Sequence, residues 1–106
     1  MKFATVRAFA LALPGASEAP HHHYGSFRVN GKIFATVPPD QQSINVFIPE
    51  ARREEVLALH SGFAEKLLWG GRVVGVRLQL AAADAATVKQ LVREAWAHKS
   101  PGGKGA

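Results

Sequence analysis

The fold of this chain is decided by residues 24–37, which read YGSFRVNGKIFATV. Two strand-like runs flank Asn30-Gly31, the pair that most readily forms a type I′ turn because both central positions need a positive φ. A two-residue loop fixes the register, so Phe27 is expected to lie opposite Phe34. A single hairpin is not stable in water, and the rest of the chain must therefore supply further strands and a helical layer.

The same register predicts that the hairpin has two apolar faces. Because side chains alternate along a strand, one face should carry Phe27, Val29 and Phe34. The other face should then carry a second apolar set: Ile33, Ala35 and Val37. One face would pack on the core, and the second could bind a protein partner.

The composition is that of one small globular domain. The chain has 106 residues, of which 47% are hydrophobic and 20% are charged, and this balance is not typical of disorder. It has no cysteine, which excludes disulfides, thiolate catalysis and cysteine-based zinc sites. The formal net charge of +5 favours polyanionic partners such as nucleic acid. We predict one domain over residues 1–98 and a disordered, Gly- and Lys-rich tail over 99–106.

The N-terminal segment does not fit a secretory signal. Arg7 interrupts its apolar stretch and leaves less than the ~7–15 residues that such a signal needs. No run approaches the ~20 apolar residues of a membrane span. We therefore expect a cytoplasmic protein without membrane attachment.

Apolar periodicity and turn residues predict three helices and five strands. The helical segments are 3–13, 49–60 and the segment that follows Asp84, a suitable N-cap. The strands are the two arms of the hairpin and the runs 43–48, 64–69 and 72–80. Residues 16–20 are expected to form a connector. The order α-β-β-β-α-β-β-α, with short links between strands, favours a two-layer α+β fold whose antiparallel sheet has its helices on one face.

Three segments together resemble the MmcQ/YjbR family of small bacterial proteins. They are LALPGASE at 11–18, SFRVNGKIFA at 26–35 and WGGR at 69–72, followed by Asp84 and a helix containing Glu94-Ala95-Trp96. The resemblance covers nearly the whole chain. It implies a two-layer fold like that of type III secretion chaperones. Because members are often labelled DNA-binding, it also implies a nucleic-acid-binding function.

Four basic residues are the candidate nucleic-acid contacts. Arg28 and Lys32 lie beside the hairpin turn, whereas Arg72 and Arg77 mark the start and middle of the last strand. Each could neutralise a phosphate and so steepen the salt dependence of binding. The alternative interpretation is a solvated strand edge that charge keeps soluble and protects from edge pairing.

Four aromatic residues could serve as stacking platforms for bases: Tyr24, Phe27, Phe34 and Trp69. In a small α+β domain such residues are more often buried or paired across strands. We therefore expect them to belong to the core.

The consecutive residues His21, His22 and His23 suggest a metal site. Adjacent side chains of a strand point to opposite faces, so only His21 and His23 could share a metal ion. A useful site needs three or four convergent ligands, which the sequence does not supply nearby. We predict no metal and no cofactor, and assign these histidines a pH-sensitive polarity of the loop.

No catalytic motif accompanies these features. The chain lacks a nucleophile elbow and a phosphate-binding glycine-rich loop, so we predict a non-enzymatic protein. The first functional hypothesis is a nucleic-acid-binding domain that uses the four basic residues. The alternative is a protein-interaction or chaperone-like module that uses an exposed apolar sheet face or edge. The sequence does not fix the oligomeric state.

Overall fold

A computed structural model describes residues 1–101. Its helices are α1 (Phe3–Ala12), α2 (Glu50–Leu59) and α3 (Ala85–Lys99). Its strands are β1 (Ala16–His21), β2 (Tyr24–Val29), β3 (Lys32–Val37), β4 (Ser43–Val46), β5 (Ala64–Trp69) and β6 (Arg72–Gln79). All eight predicted elements occur in the predicted order, and the α+β fold class is confirmed.

The structure adds one strand, β1, where the sequence analysis expects a connector. β1 pairs antiparallel with β2, from Ala16 opposite Val29 to His21 opposite Tyr24. Its composition conceals it, because Ala, Glu and Pro are depleted in strands. Pro20 is tolerated because β1 is an edge strand and need not donate to a second neighbour.

The six strands form one antiparallel sheet in the order β1-β2-β3-β4-β6-β5. All three helices contribute to the same hydrophobic core as the sheet, through Val6 of α1, Val56 of α2 and Val88 of α3. The helices therefore form one layer, and the opposite face of the sheet carries no helix within residues 1–101. That helix-free face is where the candidate site lies.

The hairpin register departs from the predicted one after two residue pairs. A β-bulge makes Phe27 pair with Ala35 instead of Phe34. The extra residue turns both Phe34 and Ala35 toward the helices, where each is fully buried. The shift also places Val37 in the core. The expectation of a second apolar face is therefore wrong, because of its three residues only Ile33 remains outside the core, half-buried.

Helix α3 covers the middle of the sheet. As predicted, Asp84 caps it by accepting a hydrogen bond from the backbone N–H of Thr87 at 3.0 Å. Its apolar stripe is fully buried: Val88, Leu91, Val92 and Ala95. Near its end, the indole Nε1 of Trp96 donates to the carbonyl oxygen of Pro14 at 2.8 Å. This bond ties α3 to the segment that follows α1.

The C-terminal end of the described chain is the end of α3. Lys99 is the last helical residue, and the Ser100 hydroxyl donates to the carbonyl oxygen of Trp96 at 2.7 Å. Residues 102–106, most of the predicted disordered tail, lie outside the described residues, so the domain limits of 1–98 and 99–106 stay predictions. None of the helices in residues 1–101 has the length and apolar character needed to cross a bilayer.

Candidate functional site

A row of polar side chains crosses the helix-free face of the sheet. The strand register aligns Ser26, Thr36, Asn45, Arg77 and Glu65 on β2, β3, β4, β6 and β5 in turn. Asn45 Nδ2 donates to Thr36 Oγ1 at 3.1 Å, and Arg77 Nε donates to Asn45 Oδ1 at 3.2 Å. Asn45 is only 1% exposed, so these bonds form in a site from which most water is excluded. They fix the position of the Arg77 guanidinium.

Thr36, Asn45 and Arg77 form the floor of an open cavity of about 530 Å³, which we call the sheet cleft. Residues 67–69 of β5 form one wall, and residues 21–24 at the β1–β2 turn form the other. These two walls come from opposite edges of the sheet. They can flank one floor because the twist of a sheet lifts diagonally opposite corners to the same side.

Two of the four predicted core aromatics lie in the sheet cleft instead. Phe27 and Phe34 are buried as predicted, but Trp69 is 53% exposed and Tyr24 is 37% exposed. For these two the prediction of burial is wrong. Tyr24 begins β2 and Trp69 ends β5, each beside a tight turn, and both side chains line the cleft instead of joining the core. The Trp69 ring contacts Phe47, with the ring centroids 5.8 Å apart.

The β5 wall depends on two local irregularities. The pairing of β5 with β6 shifts register between Leu67 and Leu68, and such a bulge bends a strand and re-aims its side chains. Opposite Leu67, Gly75 has no room for a side chain, because a Cβ there would lie 2.6 Å from the carbonyl oxygen of Val46. The absence of a side chain lets Leu67 and Phe47 close over this position, next to Trp69.

Arg77 is the cation of the sheet cleft. Within residues 1–101 its guanidinium forms no ion pair. Its cross-strand neighbour Glu65 accepts a hydrogen bond from Gln79 Nε2 at 2.7 Å instead. The two terminal NH2 groups of Arg77 are therefore available to an acceptor in the cleft. A guanidinium presents these groups in a planar fork that suits phosphate or carboxylate oxygens.

The other three predicted basic residues lie outside the sheet cleft. The Arg28 guanidinium donates to the Ser26 hydroxyl at 3.1 Å and to the carbonyl oxygen of Pro20 at 3.2 Å. Lys32 is exposed at the β2–β3 turn. Arg72 lines a separate groove beside α2. The fold thus places one of the four basic residues in the cleft and the other three outside it.

The consecutive histidines follow a turn rather than a continuous strand. His22 has a φ of 58°, and its ring lies 4.6 Å from that of His21, centroid to centroid. The alternation of side chains along a strand therefore does not continue through these residues. Within the described chain, no three His, Cys, Asp or Glu side chains are grouped so that they could hold a metal ion. These histidines instead form a wall of the cleft.

Sequence reasoning missed Thr36 and Asn45 on the floor of the cleft. A signal was present in β4, where the polar Asn45 stands between the apolar residues Ile44 and Val46. That alternation places Asn45 on the face away from the core. No local pattern indicates that the β1–β2 turn and β5 approach one another, because they lie more than 40 residues apart in the chain.

The fold and the cleft define a class of small two-layer α+β domain with an arginine-bearing cleft on its helix-free sheet face. The family model described as YjbR matches residues 11–98, and the chain therefore belongs to the YjbR family. A crystal structure of the Deinococcus radiodurans protein DR2400, with a DUF419 domain, has the same fold at a TM-score of 0.77. The alignment has 17% sequence identity and covers 91% of this chain and 76% of that chain. No curated protein is similar enough in sequence to match.

Proposed function

We propose that this domain binds nucleic acid in the sheet cleft, with the Arg77 guanidinium as its phosphate contact. The observation that carries the proposal is that Arg77 is half-buried, is held through Nε by Asn45, and forms no ion pair within residues 1–101. A preorganised cation of this kind forms strong charge-assisted hydrogen bonds to phosphate. The formal net charge of +5 adds long-range attraction to a polyanion.

Arg28, Lys32 and Arg72, which lie outside the sheet cleft, are proposed as secondary phosphate contacts. Arg72 pairs with Trp69 across β5 and β6, so its backbone adjoins the aromatic wall. Cations that contact phosphates contribute affinity without sequence preference, and each neutralised phosphate steepens the salt dependence. The proposed role is binding without catalysis.

The test measures the affinity of the whole chain for a fluorescent mixed-sequence DNA by anisotropy at low salt. Arg77→Gln removes the cation but keeps a side chain that can bond to Asn45. We expect its affinity to fall at least about tenfold, since a charge-assisted contact contributes more than 1.4 kcal/mol. Arg93→Gln is the matched control, because Arg93 is an exposed arginine of α3, on the helical layer. It should bind within about twofold of the unmodified chain.

Two outcomes would reject the proposal. One is the absence of binding at low salt. The other is an equal loss of affinity in Arg77→Gln and Arg93→Gln, which would indicate attraction by net charge alone. Melting temperatures of both variants establish that any loss does not come from unfolding.

A second candidate function is strand addition by a protein partner at the β5 edge. The observation that favours it is that β5 is an edge strand with an apolar exposed end, where Leu68 is 55% exposed. The two functions respond differently to salt. Nucleic-acid affinity should fall steeply as salt rises, whereas association through apolar surface should persist.

A further inference from the structure

We infer that the sheet cleft takes single-stranded nucleic acid, with one unpaired base lying against Trp69 and an adjacent phosphate on Arg77. This inference rests on the proposed function and specifies its ligand. It follows from the size of the cleft, the chemistry of its floor and the exposure of its aromatic walls.

The size of the cleft favours an unpaired nucleotide over a duplex. Its volume of about 530 Å³ lies in the range of pockets that enclose one small ligand. Its floor is recessed between the β5 wall and the β1–β2 turn. In a duplex each base is stacked and paired, so its flat surface reaches a protein aromatic only after it is extruded. A single strand presents its bases without that cost.

The floor of the cleft offers hydrogen-bond donors. Asn45 Oδ1 already accepts from Arg77, and Thr36 Oγ1 already accepts from Asn45. The donors that remain for a ligand are the two NH2 groups of Arg77, the hydroxyl proton of Thr36 and the second amide proton of Asn45. Such a floor suits phosphate oxygens or the carbonyl oxygens of a base.

The walls of the cleft provide aromatic surface, from Trp69 on one side and Tyr24 on the other. About half of Trp69 is exposed, although Phe47 packs against its ring and restricts its movement. Tyr24 faces the same cavity from the opposite wall. A restrained, exposed indole loses little conformational entropy when a base stacks on it. Burial of Trp69 in the core, the usual alternative, does not occur here.

The experiment compares oligothymidine, the same sequence in a duplex, and thymidine monophosphate, each titrated against the unmodified chain at low salt. We expect at least tenfold tighter binding of the single strand than of the duplex, with quenching of tryptophan fluorescence. Trp69→Phe identifies the source of the quenching, because the remaining Trp96 is bonded to Pro14 away from the cleft. The monophosphate should quench weakly at high concentration.

Trp69→Ala should weaken single-strand binding about 5- to 150-fold, the range found when a stacking aromatic is removed. The affinity of Trp69→Ala for the duplex should stay within about twofold of that of the unmodified chain. Leu59→Ala is the matched control, since Leu59 is a large exposed apolar residue outside the cleft. The affinity of Leu59→Ala for the single strand should be unchanged.

The outcomes separate this inference from the function on which it rests. Equal binding of single strand and duplex, or full single-strand affinity in Trp69→Ala, overturns the inference while leaving nucleic-acid binding in place. If neither the single strand nor the duplex binds, the proposed function itself is overturned. Selective, Trp69-dependent binding of the single strand supports both.

Discussion

Asn45 on β4 accepts a hydrogen bond from Arg77 Nε on β6 at 3.2 Å, in the middle of the sheet's helix-free face. Asn45 also donates to Thr36 on β3, so one almost fully buried amide connects three neighbouring strands. Because the amide is neutral, it orients the arginine without cancelling its charge. A carboxylate at the same position would also orient the arginine, but it would cancel the charge.

That difference gives the first prediction. Asn45→Asp is expected to keep the hydrogen bond to Arg77. It should also neutralise the charge of Arg77 by forming an ion pair, so the affinity for DNA should fall at least about tenfold. Gln41→Glu adds the same charge at an exposed position outside the cleft and should have little effect. The measurement is anisotropy at low salt. Unchanged affinity in Asn45→Asp would mean that Arg77 is not the anion contact.

The second prediction concerns Gly75, which lies beneath Leu67. A Cβ at this position would lie 2.6 Å from the Val46 carbonyl oxygen, a backbone atom held in the sheet. We expect Gly75→Ala to lower the free energy of unfolding by about 1–3 kcal/mol, the usual cost of overpacking. Urea denaturation measures this change in the free energy of unfolding.

Gly62→Ala is the matched control for Gly75→Ala. No atom lies within 4 Å of a Cβ built on Gly62, and its φ is not in the left-handed region. Its unfolding free energy should therefore change by less than about 0.5 kcal/mol. Equal effects of the two substitutions would show that the close approach at Gly75 relaxes without cost.

The hairpin illustrates how far local sequence determines this fold. Asn30 and Gly31 have φ values of 52° and 78°, as a type I′ turn requires, and the prediction from two residues is confirmed. The bulge at Phe34 was not predictable by the same means. In the run Phe34-Ala35 two apolar residues adjoin, so alternation does not indicate which one faces the core. The helical layer decides this by burying both.

The candidate site depends on still longer-range structure. Strand alternation alone assigns Arg77 to the face away from the core, and that part of the site was predictable. The exposure of Trp69 was not, because its sequence neighbours Leu67 and Leu68 are apolar and favour burial. Only the twist of six strands brings β5 and the β1–β2 turn over one floor. The twist accumulates over the whole sheet, so no short stretch of sequence indicates it.

The third prediction concerns the ion pair that joins α2 to α3. Arg52 Nε donates to Glu94 Oε1 at 2.8 Å, and Arg52 also pairs with Glu55 one turn along α2. The hydrogen bond to Glu94 is the main cause of a raised pKa of Arg52. In a double-mutant cycle with Arg52→Met and Glu94→Gln, we expect a coupling free energy of about 1 kcal/mol that decreases in high salt.

The measurement for this cycle is urea denaturation at low and high salt. Glu55→Gln serves as the comparison, since Glu55 is more exposed than Glu94 and its coupling to Arg52 should be smaller. A coupling to Glu94 near zero would mean that this ion pair does not stabilise the packing of α2 beside α3.

The last prediction uses the N-cap of α3 and gives a pH dependence. The Asp84 carboxylate accepts from the Thr87 hydroxyl at 2.8 Å and from the Thr87 backbone N–H at 3.0 Å. Both bonds favour the charged form, with the hydroxyl as the larger cause, and hold the pKa of Asp84 below its usual value of 3.8. Because the folded pKa is the lower one, the carboxylate stabilises the fold above the unfolded pKa, and this stabilisation is lost as the pH falls through the folded pKa.

Asp84→Ala should therefore lower the melting temperature by several degrees at neutral pH, roughly 4–8 °C for a domain of this size. The difference from the unmodified chain should narrow over the acidic range below the usual carboxylate pKa of 3.8, as the carboxylate takes up its proton. Asp84→Asn keeps a good cap that does not titrate, so its melting temperature should decline less steeply in acid than that of the unmodified chain. Calorimetry at a series of pH values measures the melting temperatures of the unmodified chain, Asp84→Ala and Asp84→Asn. A constant difference between Asp84→Ala and the unmodified chain across this range would contradict the assignment of the charge as the stabilising group.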